Sequence, residues 1–212
     1  MSETSADGNA AIPTSESPLP ARGRPRDTGA DRRILDATFR QLVAVGYGGL
    51  SIESVAAEAG VAKTTIYRRY PTKAELVVGA LQFEVPFAPP PPDLDSRTAL
   101  ELFIRQAIAM LVDSGAIRIL GSLLVEETRE PGLLVIFRER LIGPRRGMVE
   151  MMLRRGIERG EIRPDINPLT VTEMVAGAIF GHHAILGLVE TEEWVRSLVD
   201  HVWAAIEVRP AS

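Results

Sequence analysis

Residues 51–73 read SIESVAAEAGVAKTTIYRRYPTK, and this stretch decides the fold. Ile52, Val55, Ala56 and Ala59 fall at i, i+3, i+4 and i+7, one apolar stripe of a short helix. Ser51 stands just before the stripe, where its hydroxyl can accept from the free N–H groups of the first turn. Gly60 follows the last apolar residue, where a left-handed backbone ends a helix at least cost. Val61 and Ile66 give a second helix its inward side and leave Lys63, Thr64, Thr65, Tyr67 and Arg68 outward. Pro71 closes it, and Thr72 with Glu75 forms a T-x-x-E capping box for the next helix. A short helix, a glycine turn and a second helix with a polar, basic and aromatic outer face describe a helix-turn-helix. The bland alternative is an ordinary helical hairpin. It does not account for an outer face rich in side chains that read bases and phosphates.

Residues 33–76 resemble the N-terminal three-helix module of the TetR family of transcriptional repressors, with AGVAKTTIYRRYPTK as the most specific part. The similarity by motif covers about a fifth of the 212 residues. It implies an all-α fold: an N-terminal three-helix helix-turn-helix DNA-binding domain and a C-terminal helical ligand-binding and dimerisation domain. It further implies a dimer that reads a palindromic double-stranded DNA operator and is released by a small-molecule effector. In that reading Lys63, Thr64, Thr65 and Tyr67 touch bases, while Ser51, Tyr70, Thr72 and Lys73 hold phosphates. Arg69 becomes a base or backbone contact by its family position, and Arg68 adds charge to the same face. Two positions depart from the common pattern. Tyr70 stands where phenylalanine is usual, and Glu53 occupies a position that is a DNA-reading arginine in some members.

The distribution of charge agrees with a nucleic-acid partner. The net charge is −4, yet residues 22–73 hold ten basic and five acidic side chains. Residues 1–21 carry −3 and residues 74–212 carry −6, so the positive charge is confined to the segment with the motif. There is no cysteine, which excludes disulfides, thiolate nucleophiles and cysteine-ligated zinc. No apolar run reaches membrane-spanning length and no signal-peptide pattern opens the chain, so a cytoplasmic protein is expected. No H-E-x-x-H, G-x-S-x-G or phosphate-binding glycine loop occurs, so neither an enzyme nor a cofactor is expected.

Residues 1–27 read as a disordered tail that ends in a basic arm, Arg22-Gly23-Arg24-Pro25-Arg26. Arg22 and Arg24 either enter the minor groove, where the negative potential is deepest, or touch phosphates as a solvated linker. A first helix is predicted over 29–47, with Leu35, Phe39, Leu42 and Val43 inward and Phe39 at the centre of the small core. The DNA-binding domain with its linking helix spans 28–84. The run VPFAPPPP at 85–92 cannot continue that helix, because successive prolines remove donors and favour extended backbone. A helical domain over 93–212 follows, with Ser96 as a cap, a central helix over 116–129, and a long helix over 131–159 bent or divided at Gly143-Pro144. Asn167-Pro168 opens a helix to about 189, and Thr191 caps the last one.

Within that second domain, Phe103, Met110, Leu124, Phe137, Met148, Met152 and Phe180 either line a pocket for an apolar or aromatic ligand or form plain core. His182 and His183 are adjacent, so they point apart and make no i, i+4 metal pair. Gly177 and Gly181 share a helix face with Ile185 and Leu188, and Trp194, Leu198 and Val202 form a similar stripe on the last helix. These two faces are either a four-helix dimer interface or packing within one chain. A DNA-binding architectural protein with no effector is the alternative to the ligand-responsive repressor.

Overall fold

In the computed structural model, which describes residues 28–208, the chain is a set of helices around two apolar cores. Helix α1 (Thr28–Gly49) sends Ile34, Ala37 and Leu42 inward. Its last turn kinks at Gly46 (φ 69, ψ 179), a backbone geometry open to glycine because no Cβ clashes. Beyond the kink Tyr47 is fully buried. Helix α2 (Ile52–Ala59) is capped as its sequence demands: the Ser51 hydroxyl accepts from Ser54 N at 3.1 Å. Gly60 is left-handed (φ 65), with Val61 N donating to Ala56 O and Gly60 N to Ala57 O, the double closure that ends a helix sharply. Helix α3 (Lys63–Tyr67) is held by Ile66, whose burial stabilises it by about 1.5–3 kcal/mol. The Thr72 hydroxyl then accepts from Glu75 N at 3.1 Å and opens α4 (Lys73–Glu84). The Glu75 carboxylate pairs with Arg140, 2.7 Å away.

After the prolines, α5 (Ser96–Ile108) runs on through a π-helical turn, Ala109–Asp113, and α6 (Ala116–Glu126) follows. Helix α7 (Leu133–Phe137) passes through a second π turn, Arg138–Ile142, into α8 (Gly143–Glu158), so the division expected at Gly143-Pro144 is a change of winding. Helix α9 (Pro168–Phe180) continues through a third π turn, Gly181–Ile185, and α10 (Glu192–Ile206) ends the described chain. Among the described residues no strand forms; a single bridge joins Ile162 and Glu207. The all-α class holds.

One core joins α1, α2, α3 and α4 to Ile119 and Leu123 of α6, Leu133 and Leu134 of α7, and Leu141. The other is built by α5, α8, α9 and α10. Several local expectations change. Phe39 is only half-buried, and the first core is centred instead on the fully buried Ile34, Leu42 and Tyr47. Asp95, not Ser96, caps α5 by accepting from Thr98 N; Ser96 is buried and its N–H donates to Glu161. Helix α6, apolar on most sides and expected to be central, leaves Leu124 and Val125 exposed.

Gly156 gives a direct test of the second core. A Cβ built there lies 2.5 Å from both Ile162 Cδ1 and Ser96 Oγ. Gly156→Ala is expected to lower stability by about 1–3 kcal/mol in urea unfolding. An unchanged midpoint would show that Ile162 and Ser96 are free to move aside.

Candidate nucleic-acid interface

Helix α3 presents its outer side at the end of a rigid frame. Arg40 and Gln41 of α1 both donate to Glu58, at 2.9 and 2.6 Å, and Ser54 donates to Gln41 at 2.8 Å, so α2 is tied to α1. Arg33 Nε donates to the Ala59 carbonyl at the end of α2. On this frame Lys63, Thr64, Tyr67 and Arg68 are exposed, and Thr65 is half-buried. Tyr67 is 48% exposed, a large aromatic surface left in water on the same side as two cations. Lys63 Nζ lies 2.8 Å from Glu53 Oε1. That hydrogen bond, then the charge of Lys63, holds the Glu53 carboxyl below its ordinary value, and the Lys63 ammonium is raised in return. The pair is fully exposed and so contributes little in water. Ser51 and Thr72 cap their helices beside this face, and Tyr70 is half-buried, its ring 2.9 Å from a Cβ position at Gly79.

Two residues assigned to this face by sequence lie elsewhere. The Arg69 guanidinium is turned into the domain, its Nε 2.6 Å from Asp31 Oδ1 of α1, and its side chain is 17% exposed. It fixes the end of α3 against the start of α1. The Lys73 ammonium sits 4.4 Å above the Tyr47 ring, and burial lowers its pKa against the opposing pull of Glu130 and Glu126. It therefore faces the α1–α6 contact. Arg22 and Arg24 lie outside the described residues.

The ring under Lys73 belongs to a polar junction. Tyr47 N donates to Ser122 Oγ at 3.1 Å, and its hydroxyl donates to Glu130 Oε2 at 2.9 Å. Burial, and then the Glu130 carboxylate, raises the phenol pKa well above its ordinary value. The junction therefore stays neutral at the hydroxyl throughout the physiological range.

On the far side of α4 lies a cavity of about 290 Å³. Leu81 of α4, Val85 just beyond it, Met110, Leu124, Phe137 and Leu141 are among its walls. Of the seven pocket residues proposed from sequence, Met110, Leu124 and Phe137 come together here. Phe103 and Met152 belong to the second core instead, Met148 does not reach the cavity wall, and Phe180 is exposed. Periodicity placed all seven inward but could not tell which core each would enter. A separate open groove runs between α9 and α10, lined by Gly177, Gly181, His182, Trp194 and Leu198. His182 stacks on Trp194, with centroids 4.0 Å apart. Val202 is fully buried in the second core, and Leu188 lies beyond the helix because the chain turns at Gly187 (φ 65). Neither is on the groove. Ile185 is 71% exposed beside it.

Comparison with known proteins agrees with this geometry. Residues 34–80 match the family described as bacterial regulatory proteins, tetR family, and residues 90–202 match the tetracyclin repressor-like C-terminal domain. The chain belongs to the TetR family. It is a DNA-binding, helix-turn-helix regulator of transcription. An HTH-type transcriptional regulator of Mycobacterium bovis is 30% identical over 86% of this chain and 88% of its own length. The DNA-binding transcriptional repressor TetR of Mycobacteroides abscessus is 29% identical over 91% of this chain and 98% of its own. The crystal structure of the TetR-family regulator SCO0332 superimposes with a TM-score of 0.65 at 26% identity, covering 85% of this chain and 99% of the other.

The TetR-family motif leaves unmarked several side chains that hold its frame or line the cavity. Asp31, Tyr47, Glu130 and Arg145 act through partners 38 or more residues away or through a cavity, and no local pattern points to them. For the exposed face the expectation is sharp. Tyr67→Ala should leave the helical spectrum and melting temperature unchanged, because its ring packs little. It should weaken binding to a specific site by about 1–3 kcal/mol in fluorescence anisotropy, with little effect on random DNA. Equal losses on both would remove Tyr67 from sequence reading.

Proposed function

We propose that this TetR-family regulator is a dimeric, ligand-responsive repressor that reads a palindromic operator with two copies of the α3 face. One observation carries the reading. The exposed Lys63, Thr64, Tyr67 and Arg68 stand at one end of α4, while the other end of the same helix walls an apolar cavity. Lys63, Thr64, Thr65 and Tyr67 touch base edges in the major groove, and Ser51, Tyr70, Thr72 and Arg68 hold phosphates. Thr72 has the added advantage of a helix N-terminus, which favours anions. The basic arm with Arg22 and Arg24 follows the backbone or the minor groove on either side. Residues 28–84 form the DNA-binding unit and 93–212 the regulatory and dimerising one. The protein acts in the cytoplasm, where its operator lies.

Occupation of the cavity changes the position of α4 and hence the spacing of the two reading faces, a coupling between two sites through one two-state element. Fold neighbours support a small-molecule effector in kind. One at 20% identity is titled a flavonoid-responsive regulator, and another at 19% is a complex with choline.

The dimer forms through α9 and α10. A Cβ built at Gly177 or Gly181 meets no atom within 4 Å, so neither glycine serves packing inside the chain. Both open onto the groove beside Trp194, Leu198 and the exposed Ile185. Small residues four apart let a second helix approach closely, and four such helices bury the two stripes.

Gly181→Leu tests the assembly cleanly, because a monomer has room for the new side chain. The variant is expected to keep its helix content, sediment as a monomer and bind the operator at least about tenfold more weakly, since one half-site contributes too little alone. A variant that stays dimeric with full operator affinity would place the interface elsewhere.

A further inference from the structure

The cavity beside α4 is apolar except for its arginines, and one of them is in an unusual position. Arg145, near the start of α8, is half-buried at the cavity wall. Its Nη2 donates to the carbonyl oxygens of Val85, the residue that follows α4, at 2.5 Å and of Leu81 in the last turn of α4 at 3.5 Å. Its Nη1 reaches the Met110 thioether at 3.0 Å, a weak acceptor. No carboxylate among the described residues pairs with it, and burial alone depresses its pKa. Arginine keeps its proton even so, so the cavity holds a charge with no counter-charge.

Capping the end of α4 explains Nη2. It does not explain the rest of the fork. A guanidinium offers five N–H donors, and here Nε–H and one Nη1–H make no hydrogen bond with any described residue. Met110 itself lines the cavity, so the Nη1 edge lies at its wall. A half-buried cation with no counter-charge is costly, and a ligand that supplies the missing charge recovers part of that cost on binding.

We infer that the effector of this cavity is an amphipathic carboxylate, its acid group paired with Arg145 and its apolar body held by Ile119, Leu120, Phe137 and Leu141. The inference rests on the reading of the cavity as the effector site. A single negative charge fits better than a phosphate dianion, because the Val85 and Leu81 carbonyl oxygens crowd the same guanidinium and repel a second one. A bidentate carboxylate takes one Nη2–H together with either Nε–H or Nη1–H, so it displaces one of the two carbonyls from Nη2. A cavity of about 290 Å³ stands at the lower end of small-ligand sites, the size of one ring with a short chain or of a medium acyl chain. The carboxylate competes with the Val85 and Leu81 carbonyls for one guanidinium, so its arrival loosens the C-terminal tie of the helix that follows α3.

The test uses matched pairs on the full-length protein: decanoate with 1-decanol, and 4-phenylbutyrate with 4-phenylbutan-1-ol. Binding is measured by calorimetry, and operator affinity is measured with and without each compound. At least one acid is expected to bind about tenfold or more tightly than its alcohol. That preference should vanish in Arg145→Met and persist in part in Arg145→Lys. On wild-type protein the Arg145 ¹⁵Nε resonance should shift with the acid and not with the alcohol, which decides the matter even if Arg145→Met fails to fold. Equal binding of acid and alcohol, no binding of either acid, or a preference retained in Arg145→Met would each overturn the inference. An acid bound through Arg145 that leaves operator affinity unchanged would support it and contradict the effector reading. Alcohols that release the operator as well as the acids would do the reverse.

Discussion

Helix α4 is packed on nearly all sides, and the rest of the molecule depends on that packing. Ala74, Leu76, Val77, Val78, Ala80 and Leu81 are all buried, and only Gln82 and Phe83 of its last turn are exposed. A surface helix carries one apolar stripe; a helix apolar all round is an internal strut. α1 lies on one side of it, and Leu133, Leu134 and Leu141 lie on the other. Because interiors are close-packed, α4 cannot shift alone: its neighbours repack or it stays. Its N-terminus begins three residues after Tyr70, so a short link joins it to α3.

Polar contacts around this strut decide where the ends sit. Arg69 and Asp31 fix α3 to α1, and Tyr47, Ser122 and Glu130 fix α1 to the helices beyond the prolines. The hydrogen bond from the buried Tyr47 to a carboxylate is of the stronger, charge-assisted kind. Arg145 holds the Val85 and Leu81 carbonyls at the end of α4. The outer face of α3 is thus positioned by contacts behind it, while Lys63, Thr64, Tyr67 and Arg68 are exposed. This division explains why Arg69 and Lys73, which share the motif, do not share its surface.

What was legible in the sequence was local. Ser51, Gly60, Thr72, Asn167 and Thr191 act within four residues of themselves, and each cap forms as its chemistry requires. The stripe of α2 and the inward Ile66 follow from helical period alone. Errors arose where a neighbour distant in sequence decides. Ser96 is not the cap because Arg159 donates to its hydroxyl, while the Asp95 carboxylate accepts from Thr98 N; the helix from Pro168 stops short for a local reason, the left-handed Gly187. The candidate pocket residues divided between two cores because periodicity says inward and not into which interior. Arg145 had no signal at all: its meaning comes from the carbonyls at the end of a helix sixty residues earlier.

The central claim is that the state of the cavity sets the affinity of the reading face through α4. The most direct measurement fills the cavity without a ligand. Ala116 is half-buried on its wall, and Ala116→Trp places an indole inside. The account expects a native dimer with normal helix content whose operator affinity is at least about tenfold weaker, because the strut is held in its displaced position. A folded dimer with its cavity filled and its operator affinity unchanged would contradict it.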